Sequence, residues 1–125
     1  MGAQLIGVGI DVVDVDRFRS VLARTPGIAA RVFTDSERAY AERHRDPATR
    51  LAARFAAKEA TMKAMRVGLG AFSFRDVEVV RLESQAPALV LAGRAAALAG
   101  SLGVERWHVS LTHSRLVAEA VVIAL

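Results

Sequence analysis

The sequence predicts an α+β domain in which a mostly antiparallel sheet packs against one long helix. Three observations predict it. Leu5 to Val13 alternates in the manner of a strand. A helix from Asp46-Pro47 to about Arg66 carries alanine on one stripe, at Ala53, Ala56, Ala57, Ala60 and Ala64. Two later pairs of apolar runs, around Ser84-Gln85-Ala86-Pro87 and around His113-Ser114, read as hairpins. Helices and antiparallel strands are mixed, which places the chain among α+β folds. At 125 residues, 1–125 read as a single domain with a real core.

In the first strand Ile6, Val8, Ile10 and Val12 share one face, and Gly7, Gly9 and Asp11 the other. The second face is bare until its carboxylate, leaving room for a close-packed helix or a ligand. Asp14 or Asp16 can cap a short helix through Phe18, Val21 and Leu22 that stops at Thr25-Pro26-Gly27. Thr34-Asp35-Ser36-Glu37 is a capping box, opening a helix to about His44. The long helix follows, with proline in its first turn, and Val67-Gly68-Leu69-Gly70 ends it. Val77 to Leu82 and Ala88 to Leu91 pair as strands, and Gly93 to Leu102 forms a short helix. Trp107 to Thr112 and Val117 to Leu125 close the chain as a hairpin.

Composition narrows the function classes. Hydrophobic residues make up 53% and charged residues 24%, as in a soluble domain, and no apolar run is long enough to span a membrane. Met1-Gly2-Ala3-Gln4 carries no charged leader, so a cytoplasmic address is expected. The absence of cysteine excludes disulfides, thiol chemistry and cysteine-type zinc sites. A net charge of +4 suits an acidic partner. One alternative is a basic nucleic-acid-binding module, but aromatics are only 6% and do not interleave with the basic residues as stacking platforms would. A plain oligomerisation domain is another.

Lys58 and Lys63 are the only lysines among 17 basic residues. They flank Glu59 in Arg54-Phe55-Ala56-Ala57-Lys58-Glu59-Ala60-Thr61-Met62-Lys63. A chain that otherwise uses arginine has kept two compact ammonium groups here. Glu59 and Lys63 are one helical turn apart, whereas Arg54 and Lys58 lie on another face. Asp11 and Glu59 are hard oxygen ligands suited to magnesium. Asp11 could equally serve as a helix-entry carboxylate, and Glu59 as an intrahelical partner of Lys63. His113 ends a strand beside two hydroxyls, where it could bond a phosphate, move a proton or hold its own turn. No nucleophilic-serine elbow, phosphate loop or dinucleotide fingerprint is present. Arg17, Arg19, Arg24 and Arg31 lie on or just after the first helix, as a solvated face or as a landing site for an acidic helix.

Gly7-Val8-Gly9-Ile10-Asp11-Val12-Val13, Phe33-Thr34-Asp35-Ser36-Glu37, the Arg54–Ala64 stretch, Gly68-Leu69-Gly70 and His108-Val109-Ser110-Leu111-Thr112-His113-Ser114 stand in one order along nearly the whole chain. In these motifs the sequence resembles the holo-acyl-carrier-protein synthases, the small stand-alone 4′-phosphopantetheinyl transferases. The resemblance implies the transferase fold, assembled as a homotrimer with active sites between protomers. It implies transfer of 4′-phosphopantetheine from coenzyme A to a serine of an apo acyl-carrier protein, with release of adenosine 3′,5′-bisphosphate, in fatty-acid or related lipid metabolism. It further implies Mg2+ on Asp11 and Glu59, with Lys63 steadying the developing charge. Arg54, Lys58, Lys63, Gly68, Thr112 and His113 are implied as coenzyme A contacts, and Arg17, Arg24 and Arg31 as the carrier's landing face. The general base stays open between a metal-bound water, Glu59 and His113. One departure concerns the middle hairpin, where Gln85-Ala86-Pro87 replaces the family's Gly-x-Pro. Gln85 must then take a geometry that glycine adopts cheaply.

Overall fold

The computed structural model describes residues 4–125. Its strands and helices follow the expected order. Strand β1 (Gly7–Asp14) leads into α1 (Val15–Arg24), α2 (Ile28–Val32), α3 (Asp35–Glu42) and the long helix α4 (Pro47–Ala64). A 3-10 turn (Phe74–Asp76) then precedes β2 (Val77–Arg81), β3 (Pro87–Leu91), α5 (Gly93–Ser101), β4 (Trp107–His113) and β5 (Val117–Ala124). All pairing is antiparallel, but it falls into two sheets: a three-stranded one in the order β1-β5-β4, and the β2-β3 hairpin.

Helix α4 is the centre of the molecule. Its stripe of Ala53, Ala56, Ala57, Ala60 and Ala64 is buried, and Ala56, Ala57, Ala60 and Ala64 form one core cluster with Ala120, Val122 and Ala124 of β5. On β1, Gly7 and Gly9 lie directly against the carbonyls of Ala64 and Ala60, where a Cβ would collide with backbone. The bare face of β1 is therefore a seat for the helix rather than for a ligand. Small residues on both surfaces bring the backbones into contact, and Asp11, next on the same face, is carried to the helix surface.

Local chemistry sets the ends. Asp14, not Asp16, caps α1, its Oδ1 accepting from the Arg17 backbone N–H at 2.8 Å. The capping box of α3 is complete: Thr34 accepts from the Glu37 N–H, and Glu37 accepts from the Thr34 N–H. Helix α4 stops at Ala64, earlier than expected, because Arg66 takes the left-handed conformation at φ 59°. Gln85 does the same at φ 70°, the geometry its turn demands. The short α2, opened by Gly27 at φ 87°, had no periodic signal in the sequence.

The outer face of the three-stranded sheet is unusual. Val8, Ile10 and Val12 are each more than half exposed, with Val121 and Ile123 beside them on β5. A contiguous apolar sheet face on a charged chain calls for a covering surface.

Candidate active site

Asp11 sits where β1 meets α4, its side chain only 12% exposed. Lys63, on the last turn of α4, donates from Nζ to Asp11 Oδ1 at 3.0 Å and to the Ile10 carbonyl at 3.1 Å. Glu59 lies one turn back along the helix. Burial pushes its carboxyl above the usual range, the Asp11 charge and a hydrogen bond with Asp11 push it further, and Lys63 opposes both. Two carboxylates and one ammonium thus converge beside a cleft of about 280 Å³. Arg17, Phe18, Val21 and Phe55 line the same cleft.

The donor set is all oxygen and carries two like charges held together, an arrangement that a hard divalent cation relieves. Among the described residues no group of three or more His, Asp or Glu side chains could hold a metal. The protein offers two ligands and leaves the remaining positions open. Magnesium fits such a site, because it keeps waters and takes phosphate oxygens as its other ligands.

A second cleft, of about 330 Å³, opens at the N-terminal end of α4 and includes Thr49, Arg50, His113 and Arg115. There Arg50 Nη1 stands 3.3 Å from His113 Nε2. Arg50 precedes Glu59 by about 13 Å along the helix axis, so the two clefts are separate within one protomer. Thr112, opposite Glu119 in the sheet, points to the other face from His113. The structure thus brings Asp11, Glu59 and Lys63 together, and places His113 and Thr112 elsewhere. Gly68 lies in the exposed loop just past the Lys63 end of α4.

A groove of about 530 Å³ runs along α1 between Arg17 and Arg24. Arg17 borders both this groove and the Asp11 cleft, so the basic face and the carboxylate pair are continuous. Arg31 is exposed on α2. Behind α1, an apolar cavity of about 180 Å³ is lined by Phe18, Leu22, Ile28, Phe33 and Phe55.

Residues 7–122 match the family model of the 4′-phosphopantetheinyl transferase superfamily. The chain is 51% identical over 120 residues to the holo-[acyl-carrier-protein] synthase of Frankia casuarinae, spanning 96% of this chain and 97% of that one. The crystal structure of holo-[acyl-carrier-protein] synthase from Neisseria meningitidis superposes with a TM-score of 0.89 at 27% identity, over 98% and 99% of the two chains. That of the Helicobacter pylori enzyme in complex with coenzyme A superposes at 0.83, with 28% identity over 94% and 99%.

The chain belongs to the 4′-phosphopantetheinyl transferase superfamily, among the holo-acyl-carrier-protein synthases. It is a transferase.

Two expectations for this synthase need correction. Lys58 is not a phosphate contact. It is 0% exposed, and its Nζ donates to Glu37 Oε1 at 2.8 Å, to the Phe74 carbonyl at 3.0 Å and to the Val77 carbonyl. Burial draws the ammonium below its ordinary range, and Glu37 opposes that. Arg54 is 1% exposed, with its guanidinium 4.1 Å over the Tyr40 ring and Nη1 donating to the Arg50 carbonyl. Neither offers a surface to a ligand, because their helix face turns inward onto α3 and β2. Sequence reading also missed Glu37, which looked like a cap alone. Its Oε2 accepts from the Val79 N–H at 2.9 Å while Oε1 holds Lys58. The isolated lysine in an arginine-writing chain was the one sign of that partnership.

Proposed function

We propose that this synthase carries 4′-phosphopantetheine from coenzyme A to a serine hydroxyl of an apo acyl-carrier protein in a magnesium-dependent reaction. The convergence of Asp11, Glu59 and Lys63 beside an open cleft carries the reading. The serine oxygen forms a bond to the phosphorus that bears pantetheine, the pyrophosphate P–O bond breaks, and adenosine 3′,5′-bisphosphate departs with the electron pair. Asp11 and Glu59 would hold Mg2+, and the bound cation would supply positive charge to the pyrophosphate oxygens. Lys63, already paired with Asp11, adds a positive charge beside the same oxygens. The serine proton must pass to a base as the new P–O bond forms, and Glu59, which lines the cleft beside Asp11, is one group placed to take it.

The carrier is an acidic protein that lands on Arg17 and Arg24, with Arg31 at the margin. This basic face leads straight into the Asp11 cleft. The exposed apolar stripe of Val8, Ile10 and Val12 supports a homotrimer in which copies cover one another's sheets. Such packing allows Thr112 and His113 of one protomer to complete the site of its neighbour, as coenzyme A contacts alongside Gly68. No helix among the described residues is long and apolar enough to cross a membrane, and we place the enzyme, acting as a single domain, in the cytoplasm.

Coenzyme A, Mg2+ and an apo carrier protein incubated with the enzyme, then weighed by intact mass spectrometry, test the reading. A carrier heavier by one phosphopantetheine is expected. An unchanged carrier, with Mg2+ saturating and several carriers tried, would contradict it.

A further inference from the structure

The Lys58–Glu37 pair is buried, fully bonded and untouched by the proposed chemistry, yet it lies next to Glu59. Each of the three N–H donors of the ammonium has an acceptor: Glu37 on α3, the Phe74 carbonyl in the 3-10 turn and the Val77 carbonyl at the start of β2. Glu37 is itself fixed, because Oε1 also accepts from the Thr34 N–H at 3.0 Å and Oε2 from the Val79 N–H at 2.9 Å. One charge pair therefore ties α3, α4 and the β2 edge together in a space closed to water. On the opposite side of α4, the Ala60 and Ala64 carbonyls rest on Gly9 and Gly7. That contact sets how close the helix comes to β1. A stripe of alanines has little relief, so it constrains rotation about the helix axis weakly.

We infer that Lys58 is a positioning residue for the carboxylate pair: its ammonium, locked onto Glu37 and the Phe74 and Val77 carbonyls, sets the roll of α4 that turns Glu59 towards Asp11. Consecutive helical residues differ by about 100° in azimuth, so fixing Lys58 fixes Glu59. The geometry also accounts for the choice of lysine. Three acceptors around one point suit a compact ammonium, whereas a planar guanidinium would push the helix away or lose an acceptor. Lys58 and Lys63 then share one design, each bonding a carboxylate and backbone carbonyl, one behind the helix and one at the site.

This inference rests on the reading of Asp11 and Glu59 as a divalent-cation site. Its test is binding of Mn2+ alone, titrated by electron paramagnetic resonance without coenzyme A or carrier. Lys58→Met with Glu37→Gln removes both charges together, so neither is stranded in the core. Lys58→Arg keeps the charge and changes only the geometry. Each folded variant is expected to bind Mn2+ about tenfold or more weakly than wild type, with a cooperative thermal transition retained. Wild-type Mn2+ affinity in either folded variant would overturn the positioning role. Failure of both variants to fold would also count against it, making the pair a foundation of the fold alone. Asp11→Asn is the control. If it binds Mn2+ as well as wild type does, the cation site itself is misassigned. If it loses Mn2+ while the Lys58 variants do not, only the positioning role fails.

Discussion

Gly9 faces the carbonyl oxygen of Ala60 so closely that a single added methyl group would overlap it. The placement of Asp11 against Glu59 depends on this contact, because Asp11 is the next residue on the same strand face. Gly9→Ala forces β1 and α4 apart and separates Asp11 from Glu59. A loss of about 3 kcal/mol is expected, together with loss of most transferase activity. Chemical denaturation with an activity assay checks both, and a variant as stable and active as wild type would show that the close approach is dispensable.

The close approach was legible in the sequence for a physical reason. Alternating glycines on a strand and alanines at helical spacing both mean a surface without side chains, and two such surfaces have one efficient way to meet. Asp11 ends the glycine face and Glu59 stands beside the alanine stripe, so the packing of those two surfaces brings the carboxylates together. Lys58 was not. Whether a lysine is solvated or buried depends on Glu37, 21 residues earlier in the chain, and on the Phe74 and Val77 carbonyls, 16 and 19 residues later. No local pattern reports on partners that far away. His113 was read correctly as the end of a strand, but the cleft it enters is set by Arg50 and the register of β4 on β5.

Glu59→Gln separates stability from function. In the metal-free protein Glu59 is a half-buried carboxylate beside Asp11, and burial together with the Asp11 charge raises its pKa above the usual carboxylate range, so its ionised form costs stability. Glutamine removes the repulsion and keeps a hydrogen-bonding side chain of the same size. Its metal-free melting temperature at pH 7 is expected to rise by a few degrees, while stabilisation by Mg2+ disappears. Melts with and without Mg2+ check this. A Mg2+-dependent rise as large as wild type's would contradict the assignment of Glu59 as a ligand.

Arg17→Glu should weaken binding of an acidic carrier about tenfold at low salt, with the difference shrinking as salt screens the charges. Coenzyme A affinity should stay near that of wild type. Titrating the two substrates separately decides it, and equal losses for both would show that Arg17 is not a carrier-specific contact.

Ile10 is 56% exposed in the single chain. Ile10→Glu places a charge there without entering the protomer core, so the variant should fold. If three copies meet through this face, sedimentation velocity will find the wild type as a trimer and Ile10→Glu as a smaller species with unchanged circular dichroism. A monomeric wild type would remove the trimer from the account, and a trimeric Ile10→Glu would move its interface elsewhere.

The central claim is that Asp11 and Glu59 together hold the cation on which transfer depends. The most direct measurement is the initial rate of phosphopantetheine transfer to an apo carrier, read by intact mass across a Mg2+ series, for wild type and Asp11→Asn. Wild type should show saturable dependence on Mg2+, with little transfer in chelator. Asp11→Asn should remain folded and transfer at least about a hundredfold more slowly at every Mg2+ concentration, as loss of a direct metal ligand demands. An Asp11→Asn variant that matched the wild-type rate and Mg2+ dependence would contradict the claim.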